Sequence, residues 1–446
     1  MDPLKIAVVG SGISGLSAAW LLSQRHTVTL IESDDRLGGH SHTVDCLMDG
    51  VPVAIDTGFI VYNQGTYPNL TALFEHLKLP TTGTSMGFGV SLDGGRYEYS
   101  GNGALQMLGH LSNLSDPGHW RMLRDVARFF RTARIQALGV GGDVSLGQFM
   151  AEQGYSSDFV RRHLLPMAGA IWSCEPQRML AYPARSFLKF FDNHGLLKFV
   201  NRPQWRTVTG GSREYVHRLM AGKRIRTLTG CQVTSIKRRN AQIHLHAKND
   251  FHETFDHVVL GAHADQALAM LGDPTPEEQR CLSAFPYARN RVVLHRDASF
   301  MPRRRRLWSS WNYQSSGEES TGAVTYWMNA LQPLPASTNF FVTVNPPREP
   351  LAGTVEREFV YEHPVFTVET AQEQQRLWAL QGKRGTWFCG AYFGAGFHED
   401  GLQAGLAVAE QLGDLKRPWS VSNPSGRIHV HQRTLASPPL QFEAAE

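Results

Sequence analysis

Cysteine and lysine are both scarce in this chain of 446 residues. The five cysteines, at positions 46, 174, 231, 281 and 389, are odd in number, widely spaced and form no CxxC pair. This pattern argues against a disulfide framework and against a zinc site, and it is typical of a protein in a reducing cytoplasm. The nine lysines are so sparse that none lies between Lys248 and Lys383. We therefore expect a cytoplasmic protein with no metal centre.

Long apolar runs are absent as well. No stretch reaches the roughly 20 apolar residues that a membrane-spanning helix needs, so we expect no such helix. Hydrophobic residues make up 42% of the chain and charged residues 19%, values typical of a globular enzyme. The length is ample for two interleaved domains with sizeable cores. No internal repeat or low-complexity segment is visible.

Arginine, in contrast, is abundant, although the net charge is only +4. Between Trp120 and Arg134, arginines recur at 121, 124, 128 and 131, beside a face formed by Trp120, Leu123, Ala127 and Phe130. The spacing predicts a basic amphipathic helix. We favour a helix packed on its own domain; the alternative is peripheral contact with the anionic inner face of a membrane. The arginines, including those at 303–306, belong to no recognisable nucleic-acid-binding fold, so we predict no nucleic-acid partner.

The N-terminus carries the most specific pattern. An apolar strand over residues 4–9 is followed by Gly10, Gly12 and Gly15, a helix-forming run, a second strand and the acid Glu32. This βαβ order predicts a site for the ADP half of a dinucleotide. Gly10 allows the tight turn, Gly12 lets the backbone approach a pyrophosphate, and Gly15 lets helix and strand pack closely. Because the first strand begins at residue 4, we expect no signal peptide.

Two further features of this unit define the ligand. The helix N-terminus offers free N–H groups and the positive end of its dipole to phosphates. Glu32 can accept hydrogen bonds from ribose hydroxyls, which favours FAD or NAD over NADP. The segment that follows contains Arg36, a glycine pair and His40. Here the chain resembles the flavin amine oxidase and phytoene desaturase superfamily, in which an R-x-G-G-[RKH] segment lies against FAD.

The resemblance continues, in order, to the far end of the chain. Residues 56–60 are similar to the family's acid-x-Gly segment near the flavin, and residues 209–212, Val233 and residues 256–262 match its middle segments. Residues 387–405 match a strand, glycine loop and helix that bring a second helix N-terminus to FAD. The sequence of residues 397–401 is most similar to that of a bacterial subgroup of predicted NAD/FAD-binding proteins, some of which are thought to act on fatty acyl chains.

The resemblance implies FAD as the cofactor. One departure is Ala391, where many relatives have an acid that contacts the ribityl or pyrophosphate region. The motifs together predict the following cofactor-binding residues: Gly10, Ser11, Gly12, Ser14, Gly15, Glu32, Ser33, Gly38, Gly39, His40, Thr57, Gly58, Phe59, Val233, Ala262, Gly390, Gly401 and Leu402.

The fold class that follows is α/β, with a Rossmann-type FAD-binding domain interleaved with an α+β substrate domain. We predict that residues 1–60, 206–270 and 384–413 form the FAD-binding domain. Residues 61–205 form a helical cover with a strand pair near 87–99, and residues 271–383 form an antiparallel sheet. Residues 414–446 form an extended tail.

Three kinds of chemistry remain open. Amine oxidation is disfavoured because the family's amine oxidases carry a substrate-domain lysine, absent here, and an aromatic ring where this chain has Leu402. The preferred hypothesis is desaturation or rearrangement of a long apolar substrate such as an unsaturated acyl lipid. The third is a redox-neutral isomerase or a flavin-binding partner. An apolar substrate needs a tunnel lined by apolar side chains, and the residues suited to it are Phe59, Ile60, Tyr62, Ile171, Trp172, Phe187, Phe190, Phe191, Trp308, Trp327 and Phe341.

Few residues are suited to proton transfer. His398 and Tyr392, in the C-terminal glycine loop, are the predicted catalytic residues, and the neighbours Glu399 and Asp400 are further candidates, although Asp400 also suits a helix cap. His295 and Asp297 suit either a site or a buried ion pair. His244 and His246 alternate on a predicted strand and share an exposed face, so they predict no metal site. The sequence does not predict the oligomeric state.

Overall fold

The first strand of the chain lies in the middle of a five-stranded parallel sheet. The structure is a computed structural model that describes residues 2–48, 50–141, 143–172, 176–193, 195–197, 203–317, 322–335 and 337–431. This first strand has a neighbouring strand on each side, as a doubly wound sheet requires. In spatial order the strands are β10 (Ile225–Leu228), β2 (Thr27–Ile31), β1 (Lys5–Val9), β14 (His257–Leu260) and β20 (Thr386–Phe388).

Two helices pack on each other beside this sheet. They are α1 (Ile13–Leu22), whose ten residues are all buried, and α15 (His398–Gly413). Glycine makes the close contact possible: a Cβ atom at Gly405 would lie 2.1 Å from the carbonyl oxygen of Ser14. The two helices therefore begin close together, at the carboxyl edge of the sheet.

A seven-stranded sheet forms the second layer. All neighbouring strands are antiparallel except one pair, Trp311–Gln314 and Phe88–Leu92, which is parallel. The strand pair predicted near residues 87–99 is present, and it extends this sheet. In spatial order the strands are β19 (Val355–Pro364), β15 (Tyr287–His295), β18 (Phe341–Val344), β17 (Ala323–Trp327), β16 (Trp311–Gln314), β7 (Phe88–Leu92) and β8 (Tyr97–Ser100).

Helices fill most of the chain between residues 61 and 205. A π-helical turn, Val160–Leu164, joins α7 to α8. Gly109, with φ of +70°, separates two short helices. The helices are α2 (Pro68–His76), α3 (Ala104–Leu108), α4 (Leu111–Leu114), α5 (Pro117–Gly139), α6 (Leu146–Glu152), α7 (Ser157–Phe159), α8 (Leu165–Trp172) and α9 (Ala184–Asn193).

Helix α5 is the predicted amphipathic helix, and it packs on its own chain. Its buried face contains Met122, Val126 and Phe129. The predicted apolar face is therefore rotated from the buried one, and Trp120 is half exposed. The helix was predicted correctly, but its apolar face was placed one residue too far along the chain. The two sets of residues have the same helical spacing, so the spacing alone does not distinguish them.

Smaller elements connect these layers. Residues 414–431 form no helix or strand, and Arg417 anchors them through hydrogen bonds to Glu410 and Asn69. Cys174 and residues 432–446 lie outside the described residues. The remaining elements are β3 (Thr43–Met48), β4 (Val51–Asp56), β5 (Tyr62–Asn63), β6 (Thr81–Thr84), β9 (Trp205–Val208), α10 (Arg213–Met220), β11 (Val233–Arg239), β12 (Gln242–Ala247), β13 (His252–Phe255), α11 (Ala264–Met270), α12 (Pro276–Ser283), α13 (Met328–Leu331) and α14 (Val368–Leu377).

Several absences apply to the described ranges alone. Within them no helix is long and apolar enough to cross a membrane. The four cysteines within them are unpaired, and no cluster of three metal-ligating side chains occurs there. His244 and His246 lie on the same side of β12, as their alternation predicts. The division of the chain into domains stays a prediction.

Candidate active site

A large cavity lies between the carboxyl edge of the parallel sheet, the seven-stranded sheet and the helices. Its volume is about 1880 Å³. An ordinary small-molecule site occupies roughly 300–1,000 Å³. The cavity is therefore large enough for a cofactor and a second molecule together.

The glycine turn after β1 forms one end of this cavity. A Cβ atom at Gly15 would lie 1.9 Å from the carbonyl oxygen of Gly10, and one at Gly10 would lie 2.8 Å from that of Gly261. Both glycines are thus required for packing. Gly12 differs, because a Cβ atom there would meet no protein atom within 4 Å. The N-terminus of α1 is consequently open to the cavity at Gly12, where a pyrophosphate would approach.

The carboxylate of Glu32 is held on the cavity wall by four hydrogen bonds. Ser11 donates its backbone N–H and its hydroxyl to Oε2, at 2.7 and 2.6 Å. The hydroxyl of Ser33 and the backbone N–H of Asp34 donate to Oε1, both at 3.0 Å. This network fixes the acid at the end of β2 and fills its four lone-pair sites, so a ribose hydroxyl would take the place of one of the two serine hydroxyls, which can rotate away.

Most of the predicted cofactor residues border the cavity, but four do not. Gly15, Gly38 and Gly401 serve close packing: a Cβ atom at Gly401 would lie 2.7 Å from the hydroxyl oxygen of Ser14. Leu402 is completely buried in the core. Binding by individual residues stays a prediction. Those on the cavity wall are Gly10, Ser11, Gly12, Ser14, Glu32, Ser33, Gly39, His40, Thr57, Gly58, Phe59, Val233, Ala262 and Gly390.

His398 borders the cavity at the first residue of α15. Its ring stacks on Phe59, with centroids 3.8 Å apart and planes 13° from parallel. Its Nε2 lies 3.0 Å from the hydroxyl oxygen of Ser41 and 3.1 Å from that of Tyr215, and these two hydroxyls also hydrogen-bond to each other. Burial lowers the pKa of His398 to about 3. The imidazole is therefore neutral at ordinary pH.

Tyr392, the second predicted catalytic residue, also borders the cavity. Its hydroxyl is buried and has no hydrogen-bond partner in the described part of the chain. Burial raises the pKa of Tyr392 well above its ordinary value, so the side chain stays a phenol that can donate a hydrogen bond. Gly390 is required beneath it, because a Cβ atom there would lie 2.4 Å from Cε1 of the ring.

The other candidates for proton transfer lie away from the cavity. Glu399 accepts hydrogen bonds from Asn69, Leu70 and Gln403. Asp400 accepts backbone N–H groups at 395 and 397 and pairs with Arg427, so it caps the helix.

His295 and Asp297 do not form an ion pair with each other. His295 bonds to Thr343, and burial lowers its pKa to about 4, so the ring is neutral. Asp297 instead accepts hydrogen bonds from Ser299 and Leu351.

The sequence did not predict the contribution of β19. The ring centroids of Tyr361 and His363 on this strand lie 5.1 and 5.2 Å from the ring centroid of His40. Nε2 of His40 has no hydrogen-bond partner among the described residues. Burial, with His363 and His263 nearby, lowers the pKa of His40 well below its ordinary value. No sequence signal marks these side chains, because the alternating charges of β19 indicate only an exposed edge strand.

The far end of the cavity is apolar. Helix α5 contributes Leu123, Val126 and Phe130, which the sequence had not assigned to the site. Five of the predicted tunnel residues border the cavity: Phe59, Ile60, Ile171, Trp172 and Phe190. The six predicted tunnel residues that do not border it are Tyr62, Phe187, Phe191, Trp308, Trp327 and Phe341.

The polar end fits an adenine dinucleotide that carries a flavin. The open helix N-terminus at Gly12 suits a pyrophosphate, and the fixed carboxylate of Glu32 suits a ribose. Further along, His40 and Tyr392 border the cavity, and each has one buried polar atom without a hydrogen-bond partner among the described residues. Such groups are costly unless a ligand completes their hydrogen bonds.

Known proteins share both the sequence pattern and the fold. A sequence profile described as flavin containing amine oxidoreductase matches residues 13–338. Among solved structures, cyclohexylamine oxidase from Brevibacterium oxydans IH-35A aligns with a TM-score of 0.67 at 16% identity, covering 92% of this chain and 100% of that one. A CLA-producing fatty acid isomerase from P. acnes aligns with a TM-score of 0.65 at 16% identity, covering 92% and 98%.

A putative protoporphyrinogen oxidase from Exiguobacterium sp. 255-15 has a TM-score of 0.64 at 15% identity, with 93% of this chain and 99% of that one covered. At such identities the structural likeness shows the fold, and the profile shows the family. The chain belongs to the flavin containing amine oxidoreductase family and is a FAD-dependent oxidoreductase.

Proposed function

We propose that this enzyme acts on a long apolar substrate such as an unsaturated fatty acyl lipid, either desaturating it or rearranging its double bonds. The observation that carries the proposal is the apolar end of the cavity, formed by α5, α8 and α9. This end is continuous with the polar end that suits FAD. An acyl chain lying in it would therefore bring a C–H bond towards the flavin.

Burial of the chain would supply the binding energy. Each CH₂ group transferred from water contributes about 0.8 kcal/mol, so a chain of ten buried groups needs no strong polar anchor. Two arginines, Arg36 and Arg289, border the cavity in the described part of the chain, and Arg289 pairs with Glu362. No lysine borders the cavity in the described part of the chain, and the acids there are Glu32, Asp34 and Asp35 beside the glycine turn and Glu362 near His263.

FAD supplies the hydride chemistry when it is bound, and the protein orients the reactants and excludes water. We assign orientation to His398, whose ring is fixed between Phe59 and the hydroxyls of Ser41 and Tyr215. Its neutral Nε2 can donate a hydrogen bond to one of those hydroxyls or accept one from it, and because burial disfavours the imidazolium, the role is positioning rather than net proton transfer. The phenol of Tyr392 is the unpartnered donor, and we assign it the role of holding a polar atom of the cofactor or substrate.

Amine oxidation is the second candidate, and one observation favours it. Phe366 and Phe397 border the cavity together with Phe59, and aromatic faces can hold an amine beside a flavin. The absence of an aromatic ring at Leu402 carries no weight, since that residue is buried in the core and does not border the cavity. The absence of a lysine still counts against this chemistry. A redox-neutral isomerase would use the same apolar cavity.

Mass spectrometry of an organic extract of the purified holoenzyme tests the proposal. We expect co-purified acyl lipids in the wild type and their loss in Phe130→Asp, with the FAD content unchanged in both. Leu47→Asp, which places the same acid at an exposed apolar residue of β3, is the matched control and should retain the lipids. An extract without acyl lipids, together with rapid flavin bleaching by simple amines in the absence of oxygen, would favour amine oxidation instead.

A further inference from the structure

We propose that the outer face of α3, α4 and α5 docks on an anionic phospholipid bilayer. We call this surface the docking face. It goes beyond the proposed function, because it concerns where the enzyme works rather than what it converts. The apolar residues that define the docking face are Leu105, Leu111, Leu114, Trp120, Ile135 and Leu138.

Exposed apolar side chains are concentrated in the segment that carries this face. Of the twelve large hydrophobic side chains that are exposed in the described part of the chain, six lie between residues 105 and 138. Leu105 is 80% exposed, Ile135 72% and Leu138 86%. Single exposed apolar residues are ordinary, but a cluster of this kind marks an interaction surface.

Helix α5 presents three distinct faces. Met122 and Phe129 point into the core, and Leu123 and Phe130 border the cavity. The third face is exposed and carries Trp120, Ile135 and Leu138, with arginines at 124 and 131 among them. A helix with apolar and arginine side chains interleaved on one exposed face suits the interface of a bilayer, where arginine stems lie along the acyl region and guanidinium groups reach the headgroups.

The charge of this segment favours anionic lipid. Residues 104–139 contain five arginines and two aspartates and no lysine or glutamate, a net charge of +3. Arg121 pairs with Asp158 and Arg134 with Asp192, yet the two arginine side chains remain 52% and 77% exposed. The guanidinium groups are therefore available to phosphate oxygens at a membrane surface.

The docking face and the cavity share the same helices. Met107 and Leu108 of α3 and Leu123 of α5 border the cavity, and Leu105 and Trp120 on the same helices are exposed on the outer side. Docking would leave a single layer of helices between the bilayer and the apolar end of the cavity. This arrangement gives an acyl lipid a short route from the membrane to the site.

Flotation of the FAD-loaded enzyme with vesicles tests the proposal. We expect binding to vesicles of phosphatidylcholine with 30% phosphatidylglycerol and at least tenfold weaker binding to pure phosphatidylcholine. Ile135→Ser/Leu138→Ser should weaken binding about tenfold or more, and Arg124→Glu/Arg131→Glu should abolish the preference for phosphatidylglycerol. Leu47→Ser/Leu351→Ser, which removes two exposed leucines elsewhere, 66% and 62% accessible, should bind as the wild type does.

Two outcomes would overturn the docking face. One is the absence of vesicle binding, and the other is binding that the Ile135→Ser/Leu138→Ser variant does not weaken. A concentration-dependent dimer that this variant dissociates, without any lipid binding, would identify a second copy of the chain as the occupant. Flotation without any effect of acyl substrates on the flavin would contradict the proposed function alone. Turnover of a detergent-dispersed acyl substrate without flotation would contradict the docking face alone.

Discussion

The imidazole of His398 lies parallel to the ring of Phe59, with the ring centroids 3.8 Å apart. Phe59 follows the short sheet of β3 and β4 near the start of the chain, and His398 begins the last helix. Their contact joins the two distant parts of the sequence at the wall of the cavity. The same imidazole bonds to the hydroxyls of Ser41 and Tyr215, so its orientation is fixed from two sides.

This geometry predicts how activity depends on His398. The pKa of His398 is about 3 because the ring is buried, so the pH profile of kcat should show no step near pH 6.5 that depends on this residue. His398→Leu should lower kcat about tenfold or more, and His398→Gln should recover part of the loss by restoring a hydrogen bond to the hydroxyls. A step near pH 6.5 that disappears in His398→Gln would contradict this role.

Substitutions at Gly12 and Gly15 should affect different properties, FAD binding in the first case and folding stability in the second. Gly12→Val places its side chain in open space, so the protein should keep its unfolding temperature without cofactor but lose FAD and its yellow colour. Gly15→Ala forces a Cβ atom against the Gly10 carbonyl and should destabilise the folded protein itself. Thermal unfolding and FAD content measured on both variants check this prediction, and retention of FAD by Gly12→Val would contradict it.

Phe129 and Phe130 are neighbours on α5 with different surroundings. Phe129 is buried in the core, and its replacement by alanine should cost about 3–5 kcal/mol of stability. Phe130 borders the cavity, so Phe130→Ala should cost much less stability but raise KM for an acyl substrate. Urea unfolding and steady-state kinetics distinguish the two. Equal losses of stability would show that Phe130 is a core residue.

The ion pair of Arg427 with Asp400 should be essential for the start of α15. The carboxylate of Asp400 is fully buried and lies 2.6 Å from Arg427, so Arg427→Ala leaves a buried acid without its partner. We expect a loss of about 3–5 kcal/mol, of which Asp400→Asn in the same chain should restore a large part. Chemical denaturation of the single and double variants measures this coupling, and additive losses would argue against it.

The low pKa of His295 predicts that the folded protein loses stability in acid. Its pKa is about 4 in the folded protein and near 6.5 when unfolded, so below pH 6.5 protons bind the unfolded chain preferentially and favour unfolding. The effect is about 1.4 kcal/mol per pH unit until the folded pKa is reached. Between pH 7 and 5, the wild type should therefore lose about 1–2 kcal/mol more than His295→Gln. Urea unfolding at both pH values checks the difference.

The nucleotide-binding half was predictable because its function depends on local sequence. The glycine turn, Glu32 and the strands around them all lie within 30 residues, and each has a direct physical reason for its residue type. The C-terminal loop was predictable through the resemblance, and the structure brings its His398 beside Phe59.

The substrate half was less predictable because tertiary packing determines it. Strand β19 carries Tyr361 and His363 to the cavity, but its charges resemble those of any exposed edge strand. Phe130 borders the cavity and Phe129 does not, although both are phenylalanines on one helix. Glu399 and Asp400 follow His398 directly, yet Glu399 bonds to α2 and Asp400 to Arg427, and neither borders the cavity.

An anaerobic titration of the yellow holoenzyme with an unsaturated fatty acid tests the central claim, that one cavity holds FAD at its polar end and an acyl chain at its apolar end. The titration is followed by flavin absorbance, with the oxidised and then the dithionite-reduced enzyme. We predict a saturable perturbation or loss of the flavin bands in at least one of the two states, and its disappearance in Phe130→Asp. A flavin spectrum that does not change on addition of fatty acid in either state would contradict the account.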